Sequence, residues 1–279
     1  MAKDRMIIGG SPDSSDGAPM APLSRKSSVL TRFSPLVRRG LRFRRRFEEA
    51  KRSVEPVAFE WYRYDTFTNL FLIQHLLRHA SLSLEEMVAG DPVLDLGAAD
   101  GGLSFFLESL GYRVHAVDFS GCNMNRMQGL RKLAAALASQ VQIQDADMDG
   151  RFDLAGRYGV ALFLGTLYHL KNPFYALEKL AQHARFCFLS TRVARFGADR
   201  RTRLDSLPVA YLLNPKECNG DVTNYFIFSP AGLTLLVKRA GWAIRACISL
   251  GPSESDPVSP EGDARMFLLL ESTLPMPPA

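Results

Sequence analysis

The stretch that most limits what this chain can fold into is Val93-Leu94-Asp95-Leu96-Gly97-Ala98-Ala99-Asp100-Gly101-Gly102. An apolar segment, Pro92–Leu96, runs into small residues. A helical pattern, Gly101–Leu110, follows and stops at Gly111. Small residues after a strand let the backbone turn sharply and approach a ligand closely. The same rhythm then continues. Strands are expected at Tyr112–Val117, Val141–Gln144, Gly159–Leu164 and Arg185–Ser190, with helices at Asn123–Ala138 and Pro173–His183. Short apolar strands alternating with helices imply a parallel sheet covered on both faces.

Both ends depart from this alternation. At the C-terminus, a helix starting at Ser229-Pro230 ends at Gly241. The strands Ala243–Leu250 and Ala264–Glu271 follow, joined by a polar loop, which predicts an antiparallel pair at a sheet edge. Residues 1–28 are rich in Gly, Ser, Pro and Asp without apolar periodicity and read as a disordered tail. Residues 29–90 read as a helical extension, with helices over Trp61–Ala80 and Ser83–Ala89, the latter capped by Ser81 or Ser83. Residues 91–279 form the α/β domain.

The formal charge of +5 is unevenly placed, since Arg25–Arg52 holds eleven Lys/Arg against two Glu. The remaining chain is net acidic, so a basic body that wraps nucleic acid is not supported. Leu30, Phe33, Val37, Leu41, Phe43 and Phe47 interleave with the arginines. One reading is an amphipathic helix packed on the domain. The other is an arm for the phosphates of RNA or anionic lipid. No apolar run approaches the ~18–20 residues of a membrane span. Cys122, Cys187, Cys218 and Cys247 lie far apart with no Cys-x-x-Cys. That spacing argues against a disulfide framework or a metal knuckle and fits a reducing cytoplasm.

The turn also constrains its ligand. A dinucleotide site wants Gly-x-Gly-x-x-Gly, so that the backbone can touch a pyrophosphate. Here Ala99 takes the second glycine position, and Asp95 and Asp100 place carboxylates around the turn. These acids suit a cationic sulfonium nucleoside better than a diphosphate. The second strand ends at Asp118, about 20 residues beyond the turn, where an acid suits ribose hydroxyls. After the third strand, Asp147 can accept a hydrogen bond from an adenine amino group, with Met148 on the ring.

From Val93 to Glu271 the sequence resembles the class I S-adenosylmethionine-dependent methyltransferases. The carriers are Asp95–Gly101, Asp118, Asp147 and Leu164-Gly165-Thr166-Leu167-Tyr168-His169-Leu170. Within the family, Leu167–Pro173 and Asn224–Pro230 look most like the branch of the tRNA wobble-uridine carboxymethyltransferases. The resemblance implies a doubly wound, mostly parallel seven-stranded Rossmann-like sheet with an antiparallel C-terminal hairpin, and S-adenosyl-L-methionine as cofactor. It implies cofactor contacts from Asp95, Gly97, Ala98, Ala99, Gly101, Asp118, Phe119, Asp147 and Met148, with Leu164 and Gly165 as the floor below the reactive methyl.

Residues 192–228 separate the fifth strand from the last helix, a length typical of lids and substrate loops. This connection is expected to close over the substrate, with Glu217 and Asp221 facing the cleft. Either acid could orient or deprotonate an attacking hydroxyl, and His169, beside Tyr168, is the competing base. Arg192, Arg195, Arg200, Arg201 and Arg203 could grip an anionic substrate or only solvate the loop. The reading is a methyltransferase acting at oxygen on a small molecule or conjugate. The alternatives are a tRNA-modifying enzyme holding phosphates through Arg38–Arg46, and a cofactor-binding regulatory module without catalysis.

Overall fold

The computed structural model describes residues 34–150, 152–259 and 263–278. The expected tail and the first apolar residues of the basic segment, Leu30 and Phe33, lie outside this range. Five parallel strands carry the domain: β1 (Val93–Leu96), β2 (Val114–Asp118), β3 (Gln142–Asp145), β4 (Tyr158–Leu164) and β5 (Ala184–Val193). They lie in the order β3-β2-β1-β4-β5, so the sheet reverses direction between β1 and β4. Such a reversal opens a crevice at the carboxyl ends of the strands.

The sheet has nine strands, against the seven implied by the resemblance. The extra pair comes from the 192–228 connection, as β6 (Ala210–Leu212) and β7 (Phe226–Phe228). β7 joins the sheet where Phe228 pairs with Val193 at the end of β5. Short strands of this kind carry too little alternation to stand out in a polar loop. The late strands β8 (Trp242–Leu250) and β9 (Ala264–Ser272) form the expected antiparallel pair, and β9 lies along β5.

The described part of the basic segment folds as helix α1 (Pro35–Ser53). Ser34 caps it and Pro35 sits in its first turn. Val37, Gly40, Phe43, Phe47 and Ala50 form its buried side, while Arg39, Arg42, Arg45 and Arg46 stay in water. The apolar periodicity is thus spent on the domain. Helix α2 spans Asn69–Ala80 and α3 Leu84–Val88, the latter closed by a capping box between Ser83 and Glu86. With α4 (Gly102–Ser109) and α5 (Gln128–Ala136), these helices cover one face of the sheet in a single apolar cluster. Helices α6 (Pro173–His183) and α7 (Pro230–Arg239) cover the other face.

Two helices begin later than the sequence pattern predicts. α2 starts at Asn69 after a short turn over Thr66–Thr68, which leaves residues 54–65 outside any helix. α5 starts at Gln128 because the Asn123 side chain accepts hydrogen bonds from the Asn125 and Met127 amides, and Arg126 and Met127 adopt positive φ. Side-chain bonds to nearby amides compete with helix in this way. The four cysteines are free thiols. Among the described residues, no helix is long and apolar enough to cross a membrane.

α1 meets α2 at Gly40, where an added Cβ would lie 2.0 Å from Leu70 Cδ1. Gly40→Val is expected to cost about 1–3 kcal/mol by overpacking this contact. Urea unfolding checks this, and an unchanged midpoint would show that α1 is loosely attached.

Candidate active site

The turn after β1 is built by backbone conformation. Gly97 has φ +80°, and a side chain there would drive its Cβ to 2.2 Å from Thr166 Oγ1. Ala99 takes φ +54°, a left-handed conformation that costs a non-glycine residue roughly 1–2 kcal/mol. Its amide is held in return, donating to Asp118 Oδ2 at 2.7 Å. Gly101, also at positive φ, faces Leu130 and Phe105 too closely for any side chain. Gly97, Ala98, Ala99 and Gly101 therefore form one tight cradle at the switch point of the sheet.

Asp118 closes the cradle from β2. Oδ1 accepts from the Phe119 amide at 2.7 Å and Oδ2 from Asn123 Nδ2 at 3.1 Å, beside the Ala99 bond. Burial pushes its carboxyl above the usual range, and these donors oppose the rise. Oδ2 is thus saturated by its two donors, whereas Oδ1, with one, keeps an acceptor site for a ligand hydroxyl. Asp95 lies deeper, bonded to Ser104 Oγ at 2.6 Å. Its carboxyl is pushed up to about 6, mainly by burial.

Two expectations need correction here. Asp100 is not an open charge in the turn. Its carboxylate accepts from the Tyr62 amide at 2.7 Å and Asn125 Nδ2 at 2.7 Å, and pairs with Lys51 at 3.7 Å. Spacing alone could not reveal that α1 supplies its counter-charge. Met148 is drawn into the core, in the buried cluster of Phe152, Leu154 and Phe163, and does not lie open for a ring. An apolar residue after a strand reads alike in either role. Asp147 is exposed and accepts from the Asp149 amide at 3.0 Å. The Cys122 thiol is raised chiefly by burial, with Asp147, Asp149 and Asp118 adding to the rise.

On the other side of the cradle, Leu164 ends β4, Gly165 follows it, and a short turn presents Tyr168 and His169. His169 Nδ1 lies 2.9 Å from Thr223 Oγ1, which donates to Asp221 Oδ1 at 2.6 Å. The Thr223 hydroxyl proton is thus committed to Asp221. The network then assigns the His169 proton to Nδ1 and leaves Nε2 as an acceptor. Burial lowers the His169 pKa, Asp221 opposes this, and Arg265 and Arg192 add to the lowering.

Glu217 does not join this chain. Its carboxylate is used within its own turn, by the Asn214 amide at 2.7 Å, Asn214 Nδ2 and the Tyr211 hydroxyl. The arginines of the connection are mostly spent on the fold as well. Arg192 pairs with Asp263 and Cys218, Arg195 with Asp205, Arg200 with Asp256 and Arg203 with Asp205.

Two site residues escaped sequence reasoning. Tyr62 lies in the non-helical segment before α2. Its hydroxyl, pushed up to about 12 chiefly by burial, is within electrostatic reach of Tyr168, Arg265 and Asp118. Arg265 is the second residue of β9, with its guanidinium 5.6 Å from the Tyr168 ring centroid. A lone charge in the apolar run Ala264–Leu270 was the available signal for it.

A sequence profile of the family described as "Methyltransferase domain" matches residues 62–246. The chain belongs to the class I S-adenosylmethionine-dependent methyltransferases. A search of curated protein sequences returned no match. Among solved structures, a candidate methyltransferase of Bacillus halodurans superposes with a TM-score of 0.52 at 12% identity, covering 71% of this chain and 97% of that one. An S-adenosylmethionine-dependent methyltransferase from Clostridium acetobutylicum gives 0.50 at 9% identity, covering 83% and 98%. The N-terminal domain of EvdMO1, solved with SAH bound, gives 0.48 at 18% identity, covering 82% and 96%. At these identities the likeness concerns the fold.

S-adenosylmethionine is the cofactor of this methyltransferase, and the chain's own residues fit it. The side-chain-free cradle at Gly97 gives room for close approach, and Asp118 holds a fixed carboxylate of the kind that suits a ligand's hydroxyls.

Because burial raises the Asp95 carboxyl, the folded chain holds that proton more tightly than the unfolded one. The associated stability is present at low pH and is lost as pH rises from about 4 toward about 6. Asp95→Asn, without ligand, is expected to exceed wild type by roughly 1–3 kcal/mol at about pH 7.5 and to lose that advantage near pH 4. Urea titrations at both pH values measure the difference, and the same gap at both would mean that the carboxylate is solvated.

Proposed function

We propose that this methyltransferase alkylates a hydroxyl of a small molecule or modest conjugate, with His169 as the base. The observation that carries the reading is the chain from His169 through Thr223 to Asp221. It turns a neutral imidazole so that Nε2 can take a proton. The bound cofactor supplies an electrophilic methyl on a sulfonium, already attached to a good leaving group. The protein's task is then to orient the acceptor oxygen and remove its proton. His169 is suited to that because burial keeps it neutral near pH 7. Asp221, through Thr223, holds the ring and favours the charged form once the proton has moved. Tyr168 stays protonated, since burial raises its phenol, and serves as a hydrogen-bond donor.

The small-molecule reading is supported by how the 192–228 connection folds back on the site. The Tyr225 amide donates to the Tyr168 carbonyl at 2.9 Å, which docks this segment against the catalytic turn. α1 meanwhile spends its apolar side and Lys51 on the domain, which favours this reading over a phosphate-binding arm.

Asp118→Ala should weaken S-adenosylmethionine binding by about 1.5–3 kcal/mol, the usual worth of a hydrogen bond to a charged group. Calorimetry on the folded variant tests the cofactor site, and retained affinity would place the ribose elsewhere.

His169→Ala should lower methyl transfer by ~10²–10⁴-fold with cofactor affinity nearly intact. Asp221 raises the imidazole pKa, so Asp221→Asn should move the acid limb of the pH–rate profile to lower pH. An unmoved limb would mean that His169 is not the base.

A further inference from the structure

We propose that Arg265 is the anchor for an anionic oxygen group, a carboxylate or phosphate, on the acceptor, which makes the substrate a hydroxy acid or a phosphorylated alcohol. The inference rests on reading this cleft as the acceptor site and adds the class of molecule that enters it.

Position is the first argument. Arg265 pairs across β9 with Arg192 on β5, at the carboxyl end of the parallel strands. Its Nη1 would be 3.8 Å from a Cβ built on Gly165, the residue that follows β4. Its Nη2 lies 3.4 Å from the Tyr168 hydroxyl, next to His169. The cation therefore stands beside the base and next to the proposed floor.

How loosely the guanidinium is held is the second argument. Arg192 bonds Asp263 at 2.8 Å, Arg195 bonds Asp205 at 2.7 Å and Arg203 bonds Asp205 at 2.9 Å. Among the described residues, the hydrogen-bond partners of Arg265 are Tyr168 and Asp263, both at 3.4 Å, longer than a good charge-assisted bond. A guanidinium has five donors in a planar fork and does not lose its charge. Of Arg192, Arg195, Arg203 and Arg265, the one held by the longest bonds is thus the one at the cleft.

Charge is the third argument. Arg192 and Arg265 share one carboxylate, Asp263, whose short bond goes to Arg192. Asp221 and Asp118 are bonded to neutral donors and keep their charge, but neither is an ion-pair partner of Arg192 or Arg265 among the described residues. His169 adds no positive charge while neutral. The two guanidiniums thus have one directly paired carboxylate between them, at a site where Arg265 is only one-third exposed. An incoming carboxylate or phosphate can pair with Arg265 and be held through two parallel N–H bonds. The protonated hydroxyls of Tyr62 and Tyr168 stand ready as further donors.

The test uses the full chain loaded with S-adenosylhomocysteine and titrated calorimetrically with 4-hydroxybenzoate, its neutral amide and inorganic phosphate. The wild type should bind at least one of the two anions, about tenfold or more tighter than the amide. Arg265→Gln should remove that preference while S-adenosylhomocysteine affinity and melting temperature stay at wild-type levels. Arg265→Lys, which keeps the charge without the fork, should retain part of it and covers the case in which the glutamine variant misfolds. Arg245→Gln, on the exposed pair with Glu271, should change nothing. Carboxylate and phosphate arms separate the two sources of the anion. A wild type that binds neither anion better than the amide overturns the proposal, as does a folded Arg265→Gln that binds them equally well. Failure to bind S-adenosylhomocysteine at all would count against the cofactor site and not against Arg265.

Discussion

The buried carboxylate of Asp100 is the joint on which the rest of this molecule depends. It sits in the turn after β1, where an unpaired charge would be costly. The chain satisfies it from three separate segments: the Lys51 ammonium of α1, the Tyr62 amide of the segment before α2, and the Asn125 amide group at the entry to α5. Lys51 also lies over the rings of Phe47 and Trp61. One acid in the cofactor turn thereby fixes the N-terminal extension on the domain and brings Tyr62 toward the cleft. A buried ion pair is weak evidence for net stability, because desolvation offsets the attraction. Its effect here is geometric, since the pair holds the C-terminal end of α1 against the turn.

The opposite wall is assembled by a second buried charge. Arg192 extends from the end of β5 and is almost wholly buried, with Asp263 and Cys218 as partners. Those partners lie before β9 and in the 192–228 connection. Where β5 ends thus decides where Asp221, Thr223 and Tyr225 can reach. The short strands β6 and β7 continue the sheet from that point, so the loop returns past Tyr168 as a held structure. The proposed cofactor cradle and acceptor wall lie on either side of the switch between β1 and β4, where open α/β sheets bind ligands.

Much of this was legible in the sequence. Small residues from Gly97, the acid Asp118 and the alternation of strands and helices follow from local rules of turn geometry and periodicity, and those rules hold wherever the segment sits. The apolar stripe of α1 was legible for the same reason. Which of two stated roles it served was not, because an amphipathic helix presents one pattern to a protein core and to a phosphate surface. The partners of Glu217 and Asp221 show the limit from the other side. Both are acids in one polar loop, yet one closes its own turn with Asn214 and the other reaches Thr223 and His169.

The sequence by itself determined the parallel sheet, the tight turn after β1 and the acid at the end of β2, because each is written in residues close together in the chain. Only the tertiary structure decided which charges are free. Lys51 meets Asp100 and Arg192 meets Asp263 across long sequence separations. The pairing of a charge, and so its availability for chemistry, is a property of spatial neighbours that no local pattern records.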